Sequence, residues 1–507
     1  MNPITSPHDF YGKKILILGL GLHGGGVAAA YWFFRQGAEV IVSDIKSRAE
    51  LEPSLVRLTT LCNEYRLAHP GKHCASIEYI LGRHRDEDIL RADCIIQNAG
   101  VPRDSPFLSL ARAHAVPIHN DASIFFALAQ RVNTIGVTGT RGKTTTVSLL
   151  GVLLKQTFPR VVVGGIATSS GAISFFSILD RVLEDRQNGC TDPVVLELSS
   201  WQLEVLGAHA VSPQYAVMTT IKPDHLNRYA SMDAYIEAKK NIFRFQPTDD
   251  KGGVVLNIDD PIHRLLSAGI ASERLYWYSR TGATIERGCS IERSRASHTQ
   301  TAVWHDGVSR LAVYDMSNLS LQGLHNQDNA LAALTTGMMV GADVPAMDRA
   351  LSSWTGMPGR LECIGIREGR IWYNDTTATS PDATIAALTT LGKRSKKIIL
   401  IAGGADKNLH FDELGCAIGK RVKALIMLSG TASPHIVSAC AACGYSASID
   451  YANSMADAVN KAWKRSQKGD ILLLSPAAAS FGLFQHEFDR GNQFLEAVQA
   501  LQANRGV

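Results

Sequence analysis

The sequence predicts an α/β protein with about three domains. Its 507 residues leave room for roughly three domains of about 150 residues each. In residues 14–34 and again in residues 132–155, an apolar strand-like segment runs into a glycine-rich turn that is followed by a helical pattern. This order is typical of α/β domains that bind phosphate groups at a helix N-terminus.

Composition excludes several classes of protein. Hydrophobic residues make up 45% of the chain, and the net charge is +4 with both signs intermixed. This balance does not favour nucleic acid or a membrane surface as a partner. The nine cysteines are scattered, and residues 440–443 form a lone CxxC in which we expect ordinary thiols. With no apparent signal peptide or membrane span, we expect a protein of the reducing cytoplasm.

The first glycine-rich turn fits a nucleotide site. Residues 14–19 form a buried-type strand, residues 19–26 carry a complete GxGxxG, and the next strand, residues 40–43, ends at Asp44. This is the dinucleotide-binding fingerprint, but it selects only a diphosphate near a helix N-terminus and an acid facing a sugar or base. A nicotinamide dinucleotide, a UDP-sugar and a purely structural turn all remain open. A further strand and its loop follow at residues 94–102.

The second glycine-rich turn, residues 136–145, has the composition of a phosphate loop. Gly139 and Gly142 let backbone N–H groups approach phosphate oxygens, Lys143 adds a full positive charge, and Thr144 is placed to hold Mg²⁺. The strict pattern requires glycine six residues before the lysine, where this chain has Val137. Because the lysine and hydroxyls follow in order, a phosphate site is favoured over a plain turn.

Two segments further along supply candidate metal ligands. Residues 193–196 form an apolar strand that ends at Glu197, which suits a carboxylate holding Mg²⁺ near the phosphates. A second strand, from Tyr215, leads into Asp224 and His225. A buried Glu with hydrogen-bond partners and a structural His are the alternative interpretations.

Several motifs in one order resemble the Mur ligases, ATP-dependent amide-forming enzymes of peptidoglycan synthesis. They are Gly-Val-Thr-Gly-Thr-Arg-Gly-Lys-Thr-Thr at 136–145, Glu-Leu-Ser-Ser-Trp-Gln-Leu-Glu at 197–204, Asp-His-Leu-Asn-Arg-Tyr at 224–229, His-Asn-Gln-Asp-Asn at 325–329 and Met-Pro-Gly-Arg at 357–360. The C-terminal motifs at 374–379, 402–407 and 474–491 are most similar to those of the members that add D-glutamate.

The resemblance implies a fold and a division of labour. The expected domains are a Rossmann-like UDP-substrate-binding domain at 1–131, a central P-loop ATPase-like domain at 132–355, and a Rossmann-like amino-acid-binding domain at 356–507. We place a helix over residues 118–131 at the first boundary. The substrates would be ATP, UDP-N-acetylmuramoyl-L-alanine and glutamate, the cofactor two Mg²⁺ ions, and the protein a monomer.

The family's site positions carry over residue by residue. For ATP they are Gly139, Thr140, Gly142, Lys143, Thr144, Thr145, Asn326, Asn329, Arg360 and Asp375. For the UDP substrate they are Gly21, Leu22, His23, Asp44, Asn98 and Gly100, and for the amino acid Thr379, Lys407, Ser480 and Phe481. Thr144, Glu197, His225 and Lys239 would hold metal. Lys239 matches a lysine that becomes a carbamate, and Lys143, Glu197, His225 and Lys239 are the expected catalytic residues.

The chain departs from the D-glutamate pattern at several positions. Thr377 replaces a common lysine, Thr220 a common asparagine, and Ile166 the asparagine that usually follows two glycines; His486 and Glu487 replace Asn-Phe. An L-glutamate-adding ligase therefore stays open. Ligases for the third amino acid are disfavoured because Asp-Asn-Pro-Arg is absent. The alternative of a nicotinamide-dependent oxidoreductase leaves the phosphate loop unexplained. An amidating relative would carry a four-cysteine zinc ribbon, but Cys289 is the single cysteine in residues 248–310.

The expected reaction is acyl activation followed by amide formation. ATP would phosphorylate the carboxylate of the UDP substrate, and the amine of glutamate would attack the acyl phosphate. The C-terminal domain would close over the centre and exclude water.

Overall fold

The computed structural model describes residues 4–71, 76–130, 132–168, 171–224, 228–247, 252–294, 299–320, 323–392 and 397–503. It contains three large sheets in two compact units. The first unit spans most of the chain up to residue 352 and holds two of the sheets; the second holds the sheet built from residues 362–474. Among the described residues, no helix combines the length and apolar character needed to cross a membrane.

The N-terminal sheet is parallel, with strand order β3-β2-β1-β4-β5. Its elements are β1 (Lys14–Leu18), α1 (Gly25–Arg35), β2 (Glu39–Asp44), α2 (Arg48–Ala68), β3 (Ile77–Leu81), α3 (Asp86–Arg91), β4 (Cys94–Gln97), α4 (Pro106–Ala113), β5 (Ile118–His119) and α5 (Asp121–Leu128). The chain order reverses between β1 and β4. In open α/β sheets this switch point opens a crevice at the carboxyl ends of the strands, where ligands bind.

The helix predicted over residues 118–131 is shorter in the structure. Ile118–His119 pairs with β4 as an edge strand, and helix α5 begins only at Asp121. Asn120 separates the two because its side chain accepts a hydrogen bond from Ser123 N (2.7 Å), while Ser123 Oγ accepts one from Asn120 N (2.9 Å). This reciprocal cap fixes where the helix starts.

The central sheet has nine strands in the order β16-β15-β14-β13-β12-β11-β6-β10-β7. Its first half contains β6 (Thr134–Thr138), α6 (Lys143–Lys155), β7 (Val162–Gly164), the separate pair β8 (Ile166–Thr168) and β9 (Gly171–Ile173), α7 (Phe175–Gln187), β10 (Val194–Glu197), α8 (Ser200–Ala208), β11 (Tyr215–Met218) and α9 (Met232–Arg244). Then follow β12 (Gly253–Asn257), α10 (Pro261–Leu266), β13 (Leu275–Ser279), β14 (Arg287–Arg293), β15 (Gln300–Asp306), β16 (Arg310–Asp315), α11 (Leu324–Met339) and α12 (Val344–Ser353). Strand β6 lies between β10 and β11, so the loops after these three strands meet at one edge.

The C-terminal sheet has the order β17-β18-β22-β19-β20-β21. Its elements are β17 (Glu362–Arg367), β18 (Arg370–Asn374), α13 (Pro381–Leu391), β19 (Ile398–Ala402), α14 (Asp412–Arg421), β20 (Val422–Leu428), α15 (Ser433–Ala442), β21 (Ile449–Ala452), α16 (Met455–Arg465), β22 (Ile471–Leu474) and α17 (Glu487–Ala503). Strand β22 runs parallel to β18 on one side and to β19 on the other. Their carboxyl-end loops therefore lie side by side.

The central strands of these sheets are buried on both faces. In β1 the consecutive residues Ile15, Leu16, Ile17 and Leu18 are all fully buried. Strands covered by helices on both faces read as continuous apolar runs rather than as alternating patterns. Burial on both faces explains why apolar runs in the sequence predict these strands. It also gives the loops at the strand ends a rigid support.

The structure differs from the sequence expectation at one cysteine. Cys443, expected to be an ordinary thiol, is paired with Cys416 in a disulfide. Its CxxC neighbour Cys440 is a free, buried thiol. The bonded residues are 27 positions apart and meet only because α14 and α15 pack together, so no local spacing indicates the pair.

Candidate active site

The phosphate loop connects β6 to α6 and admits only glycine at two positions. Gly142 caps α6 with φ 86°, and Gly139 has φ 149°. A Cβ on Gly139 would lie 2.0 Å from Thr219 Oγ1, and one on Gly142 would lie 2.3 Å from Asn329 Oδ1. A side chain at either position would therefore clash with its neighbours. The backbone N–H groups of the loop stand at the start of a 13-residue helix.

Two lysines converge on the same carbonyl of this loop. Lys143 Nζ donates to Gly139 O (3.1 Å) and Thr140 O (3.3 Å). Lys239 Nζ, reaching in from α9, donates to Gly139 O (2.9 Å) and to Thr138 Oγ1 (3.3 Å). Both amines thus share the Gly139 carbonyl beside the turn where phosphate oxygens would bind.

Lys239 is an unusual lysine because it is almost completely buried. Its side chain is 1% exposed, and its Nζ lies 4.7 Å from the centre of the Tyr235 ring. Burial, together with the charge of Lys143, lowers the pKa of Lys239 well below its usual value. The shift makes the unprotonated amine, which is the nucleophilic form of lysine, easier to reach than in an exposed lysine.

Glu197 ends strand β10 beside the loop. It lies opposite Val137 in the parallel pairing of β10 with β6. Its Oε2 atom is buried and has no hydrogen-bond partner among the described residues. A buried carboxylate oxygen without a partner is costly, so this atom suits a cation ligand.

The strand on the other side of β6 secures the loop. Thr140 N donates to Thr220 O (2.6 Å), and Thr220 Oγ1 accepts from Arg141 N (3.3 Å). Thr220, which replaces a common asparagine, thus supports the loop backbone. His225, four residues after Ile221, lies outside the described residues, so its predicted metal role stays a prediction.

The N-terminal glycine turn is organised by Asp44 at the switch point of its sheet. Asp44 Oδ2 accepts hydrogen bonds from Leu20 N (2.8 Å) and Gly21 N (3.0 Å), and Asn98 Nδ2 donates to Gly19 O (3.0 Å). The carboxylate and the amide thus shape the turn from the ends of the two strands that flank β1. Three further predicted site residues are exposed around it, namely Leu22, His23 and Gly100.

A small cavity of about 60 Å³ adjoins this turn. Asn98 and Gly25 line it from the N-terminal sheet, and Asp121, Trp201 and Gln202 line it from α5 and α8. Gln202 Nε2 donates to Asp121 Oδ1 (3.0 Å), and burial raises the pKa of Asp121. Residues from the nucleotide turn and from the motif after Glu197 therefore share one cavity.

The amino-acid residues lie at the carboxyl edge of the C-terminal sheet. Lys407 Nζ donates to Thr379 Oγ1 (3.2 Å), which joins the loop after β19 to the loop after β18. The loop after β22 joins them through paired backbone hydrogen bonds between Ala405 and Ala479 (2.9 and 3.1 Å). In that loop Ser480 is buried, whereas Phe481 is 54% exposed.

Comparison with known proteins identifies the family. The Mur ligase middle domain matches residues 137–337, and the Mur ligase glutamate ligase domain matches residues 359–478. The UDP-N-acetylmuramoylalanine–D-glutamate ligase of Roseiflexus sp. strain RS-1 is 38% identical over 498 residues, covering 96% of this chain and 99% of the relative. The enzyme of the same name from Clostridioides difficile strain 630 is 32% identical, covering 97% and 100%. The chain belongs to the Mur ligase family.

Solved structures of Mur ligases share the fold. UDP-N-acetylmuramate–alanine ligase MurC from Thermotoga maritima has a TM-score of 0.60 at 20% identity and covers 96% of this chain and all of that one. MurF ligase from the same organism, in complex with ADP, has a TM-score of 0.57 at 16% identity and covers 92% and 96%. The predicted α/β multidomain fold and the predicted ligase class are confirmed, and Mur ligases depend on ATP. The exact boundaries near residues 131 and 355 stay predictions.

The Mur ligase motif residues of the second unit hold loops together. Asp375, matched to an ATP position, is buried and accepts hydrogen bonds from Leu361 N (2.9 Å) and Ser475 Oγ (2.8 Å); burial raises its pKa to about 7. It thereby fixes the residue after Arg360. Thr377 Oγ1 donates to Gly359 O (2.9 Å), so its hydroxyl also contributes to anchoring this segment.

The two asparagines of the fifth motif are both buried on α11. Asn329 Oδ1 is the atom packed against Gly142, and it accepts from Thr146 Oγ1 (3.4 Å). Thr144 and Thr145 lie in the first turn of α6, and Thr140 Oγ1 lies 3.1 Å from the Tyr235 hydroxyl. The predicted residues Gly139, Thr140, Gly142, Lys143, Asn329 and Lys239 therefore form one cluster.

Sequence reasoning assigned no role to Arg490, although it belongs to a quoted motif. Its guanidinium is completely buried and donates to Thr376 O (2.7 Å), Thr376 Oγ1 (3.2 Å) and Ala478 O (3.2 Å). It joins the loops that carry Thr379 and Ser480. Its place in the motif at 474–491 is the sequence signal that could have indicated it, because a fully buried arginine needs partners for its charge.

Proposed function

We propose that this Mur ligase joins D-glutamate to UDP-N-acetylmuramoyl-L-alanine at the expense of ATP, in the synthesis of peptidoglycan precursors. The observation that carries the proposal is the end-to-end similarity to enzymes named for this reaction, at 38% identity in the Roseiflexus relative. The geometry supports it in two places. The phosphate loop offers backbone N–H groups and a lysine for ATP, and the three C-terminal loops offer Lys407 and Thr379 for glutamate.

In this proposal the phosphate loop binds ATP. Gly139, Thr140, Gly142, Thr144 and Thr145 would contact the phosphates, and Lys143 would move from the carbonyls it now binds to the transferring phosphoryl group. Asn329, which packs against Gly142, would adjoin the same phosphates, and Asn326, Arg360 and Asp375 stay predicted ATP residues. The pairing of Lys143 with backbone carbonyls supports this role, since these bonds can be exchanged for stronger ones to phosphate.

The donors near the loop fit Mg²⁺. The buried Oε2 of Glu197, which has no hydrogen-bond partner within the described part of the chain, suits a cation, and Thr144 stands in the first turn of α6. Together with His225 and a carbamate on Lys239, these residues would hold two ions. Bound Mg²⁺ would neutralise the charge that develops on the transferring group.

We further propose that Lys239 reacts with CO₂. The neutral amine attacks the carbon of CO₂ and forms an N–C bond, and one proton leaves to solvent, giving a carbamate. The low pKa that burial and Lys143 impose on Lys239 supports this step, because only the unprotonated amine can attack. The resulting negative charge would lie near Lys143, which binds the same Gly139 oxygen, and would be able to hold a cation.

The UDP substrate would bind at the switch point of the N-terminal sheet. Gly21, Leu22 and His23 would contact the uridine, with Asp44 shaping the turn and Asn98 and Gly100 near the diphosphate. The carboxylate of the substrate would attack the γ-phosphorus of ATP. The P–O bond to ADP breaks, and the product is an acyl phosphate.

The glutamate amine then attacks the acyl carbon. Lys407 and Thr379 would bind a glutamate carboxylate, with Ser480 and Phe481 beside them. The tetrahedral intermediate loses inorganic phosphate and leaves the amide. The amine attacks through its lone pair, so it must be unprotonated when it attacks, and its nitrogen then loses one proton to solvent as the amide forms.

Phosphate release tests the proposal. The enzyme is given ATP, Mg²⁺ and UDP-N-acetylmuramoyl-L-alanine with D-glutamate, with L-glutamate, or with no amino acid. Release that depends on D-glutamate is the expected result. Release only with L-glutamate would reassign the pocket in which Thr377 replaces lysine, and no release in any mixture would contradict the proposed substrate pair.

A further inference from the structure

A disulfide joins helices α14 and α15 near the loop that carries Lys407. Cys416 lies in the second turn of α14, and Cys443 is the residue that ends α15. Both residues are partly exposed. The third nearby cysteine, Cys440, is buried, and burial raises the pKa of its thiol to about 11.

This disulfide stands at one end of the loop that carries Lys407. The loop, residues 403–411, leaves β19 and enters α14 at Asp412. Cys443 Sγ lies 3.8 Å from Asp412 O, so the end of α15 contacts the first residue of α14. The C-terminal end of the loop, where it enters α14, is therefore in contact with Cys443.

The beginning of the same loop is held by the start of α15. Ala432 N donates to Gly404 O (2.9 Å), and Asp406 N donates to Thr431 Oγ1 (2.8 Å). Helix α15 thus holds both ends of the loop, by hydrogen bonds at the start and by the sulfur bridge at the exit. Opening the bridge removes the only covalent part of this attachment.

We propose that Cys416 and Cys443 form a reversible disulfide, and that its formation fixes the Lys407 loop and strengthens binding of the incoming amino acid. The second half of this inference rests on the proposed function. A loop held in its binding conformation loses less conformational entropy when the ligand arrives, so affinity rises without any new contact.

The chemistry is a thiol–disulfide exchange with a small disulfide such as oxidised glutathione. The thiolate of one cysteine attacks a glutathione sulfur and releases one glutathione thiolate. The second cysteine thiolate attacks the mixed disulfide and releases the other. Two thiols are oxidised, one glutathione disulfide is reduced to two glutathiones, and their thiolates take up the two protons.

Mass spectrometry tests the bond itself. The full-length enzyme is incubated with oxidised glutathione or with dithiothreitol, alkylated, and digested without reduction. The expected result is a linked peptide containing Cys416 and Cys443 that disappears with dithiothreitol, while the exposed Cys363 is alkylated in both samples. Alkylation of Cys416 and Cys443 in the oxidised sample would overturn the proposal.

Two further measurements test the effect on the loop. Amide hydrogen exchange in residues 403–411 should slow on oxidation, whatever the substrate. The KM for the amino acid should fall about threefold, with kcat and the KM for ATP unchanged. The Cys416→Ser and Cys443→Ser variants should lose both responses, and Cys363→Ser should keep them.

The outcomes separate the two proposals. If phosphate release does not depend on D-glutamate, the proposed function fails, and the linked peptide and the exchange rates still decide the disulfide. Unchanged exchange and unchanged KM in a fully oxidised sample would refute the coupling to the loop. Responses that persist in Cys416→Ser would refute the assignment of the cysteine pair.

Discussion

Replacing Arg490 with methionine should separate the amino-acid loops from each other. Methionine keeps most of the buried volume but removes three hydrogen bonds, two of them to the backbone oxygens of Thr376 and Ala478. Hydrogen bonds from a charged donor contribute about 1.5–3 kcal/mol each, so the three together contribute about 4.5–9 kcal/mol in gross terms. Relief of the desolvation that lowers the pKa of Arg490 to about 10 offsets part of this.

We therefore expect a net loss of about 3 kcal/mol in the free energy of unfolding of the C-terminal unit. The loops carrying Thr379 and Ser480 lose their common tie, so the KM for glutamate should rise at least about tenfold, which is about 1.4 kcal/mol in binding free energy. The KM for ATP should change little. Urea unfolding followed by circular dichroism gives the first quantity, and phosphate-release kinetics give the others.

Two further variants make this prediction sharp. Arg490→Lys keeps the charge but not the planar group that reaches three acceptors, so it should fall between wild type and Arg490→Met. Arg465→Met removes a surface arginine paired with Asp450 and should leave both quantities near wild type. If Arg490→Met leaves the KM for glutamate unchanged while the protein stays folded, the positioning role is refuted.

Three other predictions concern the phosphate loop and Asp375. Lys143→Ala should lower kcat more than about 100-fold in the phosphate-release assay with an unchanged circular dichroism spectrum; retained turnover would contradict the loop assignment. Gly142→Ala should raise the KM for ATP about tenfold, because the added Cβ would lie 2.3 Å from Asn329 Oδ1. Gly189→Ala should leave the KM for ATP unchanged, because Gly189 also has a positive φ but has open space around it. The Asp375 carboxyl has a pKa raised to about 7, so its stabilising contribution is present below pH 4 and is lost as pH rises to about 7. Urea unfolding between pH 4 and pH 8 should show this loss in wild type and not in Asp375→Asn.

The sequence predicted the parts of the fold that have local signatures. Buried parallel strands appear as apolar runs, and positive-φ turns require glycine, so the two glycine turns and their flanking elements were predicted close to their observed bounds. The start of α5 was misplaced because the cap at Asn120 acts against an apolar pattern that continues from Ile118. Propensity alone does not reveal such a boundary.

In the candidate site, the sequence predicted residues that belong to local motifs but not the contacts between distant parts of the chain. Lys143 and Glu197 stand at strand ends that a motif identifies, but the Gln202–Asp121 contact joins residues 81 positions apart. The hydrogen bond from Lys239 to Gly139 spans 100 positions, and that from Arg490 to Thr376 spans 114. Contacts at this separation depend on how helices pack against the sheets, which periodicity does not encode.

Burial and the neighbouring Lys143, which binds the same Gly139 oxygen, together explain the lowered pKa of Lys239. Two ammonium groups bonded to one carbonyl repel each other, and removing one of them from water adds a desolvation penalty. Both effects favour loss of the proton from Lys239, the more deeply buried amine. If CO₂ then adds to the neutral amine, the resulting carbamate anion attracts Lys143, whereas the protonated amine would repel it. On this argument the occupancy of the carbamate depends on Lys143: in Lys143→Met the pKa of Lys239 should rise, and ¹³C NMR with labelled bicarbonate should show a weaker carbamate signal than in wild type. An undiminished signal would mean that burial alone controls the amine.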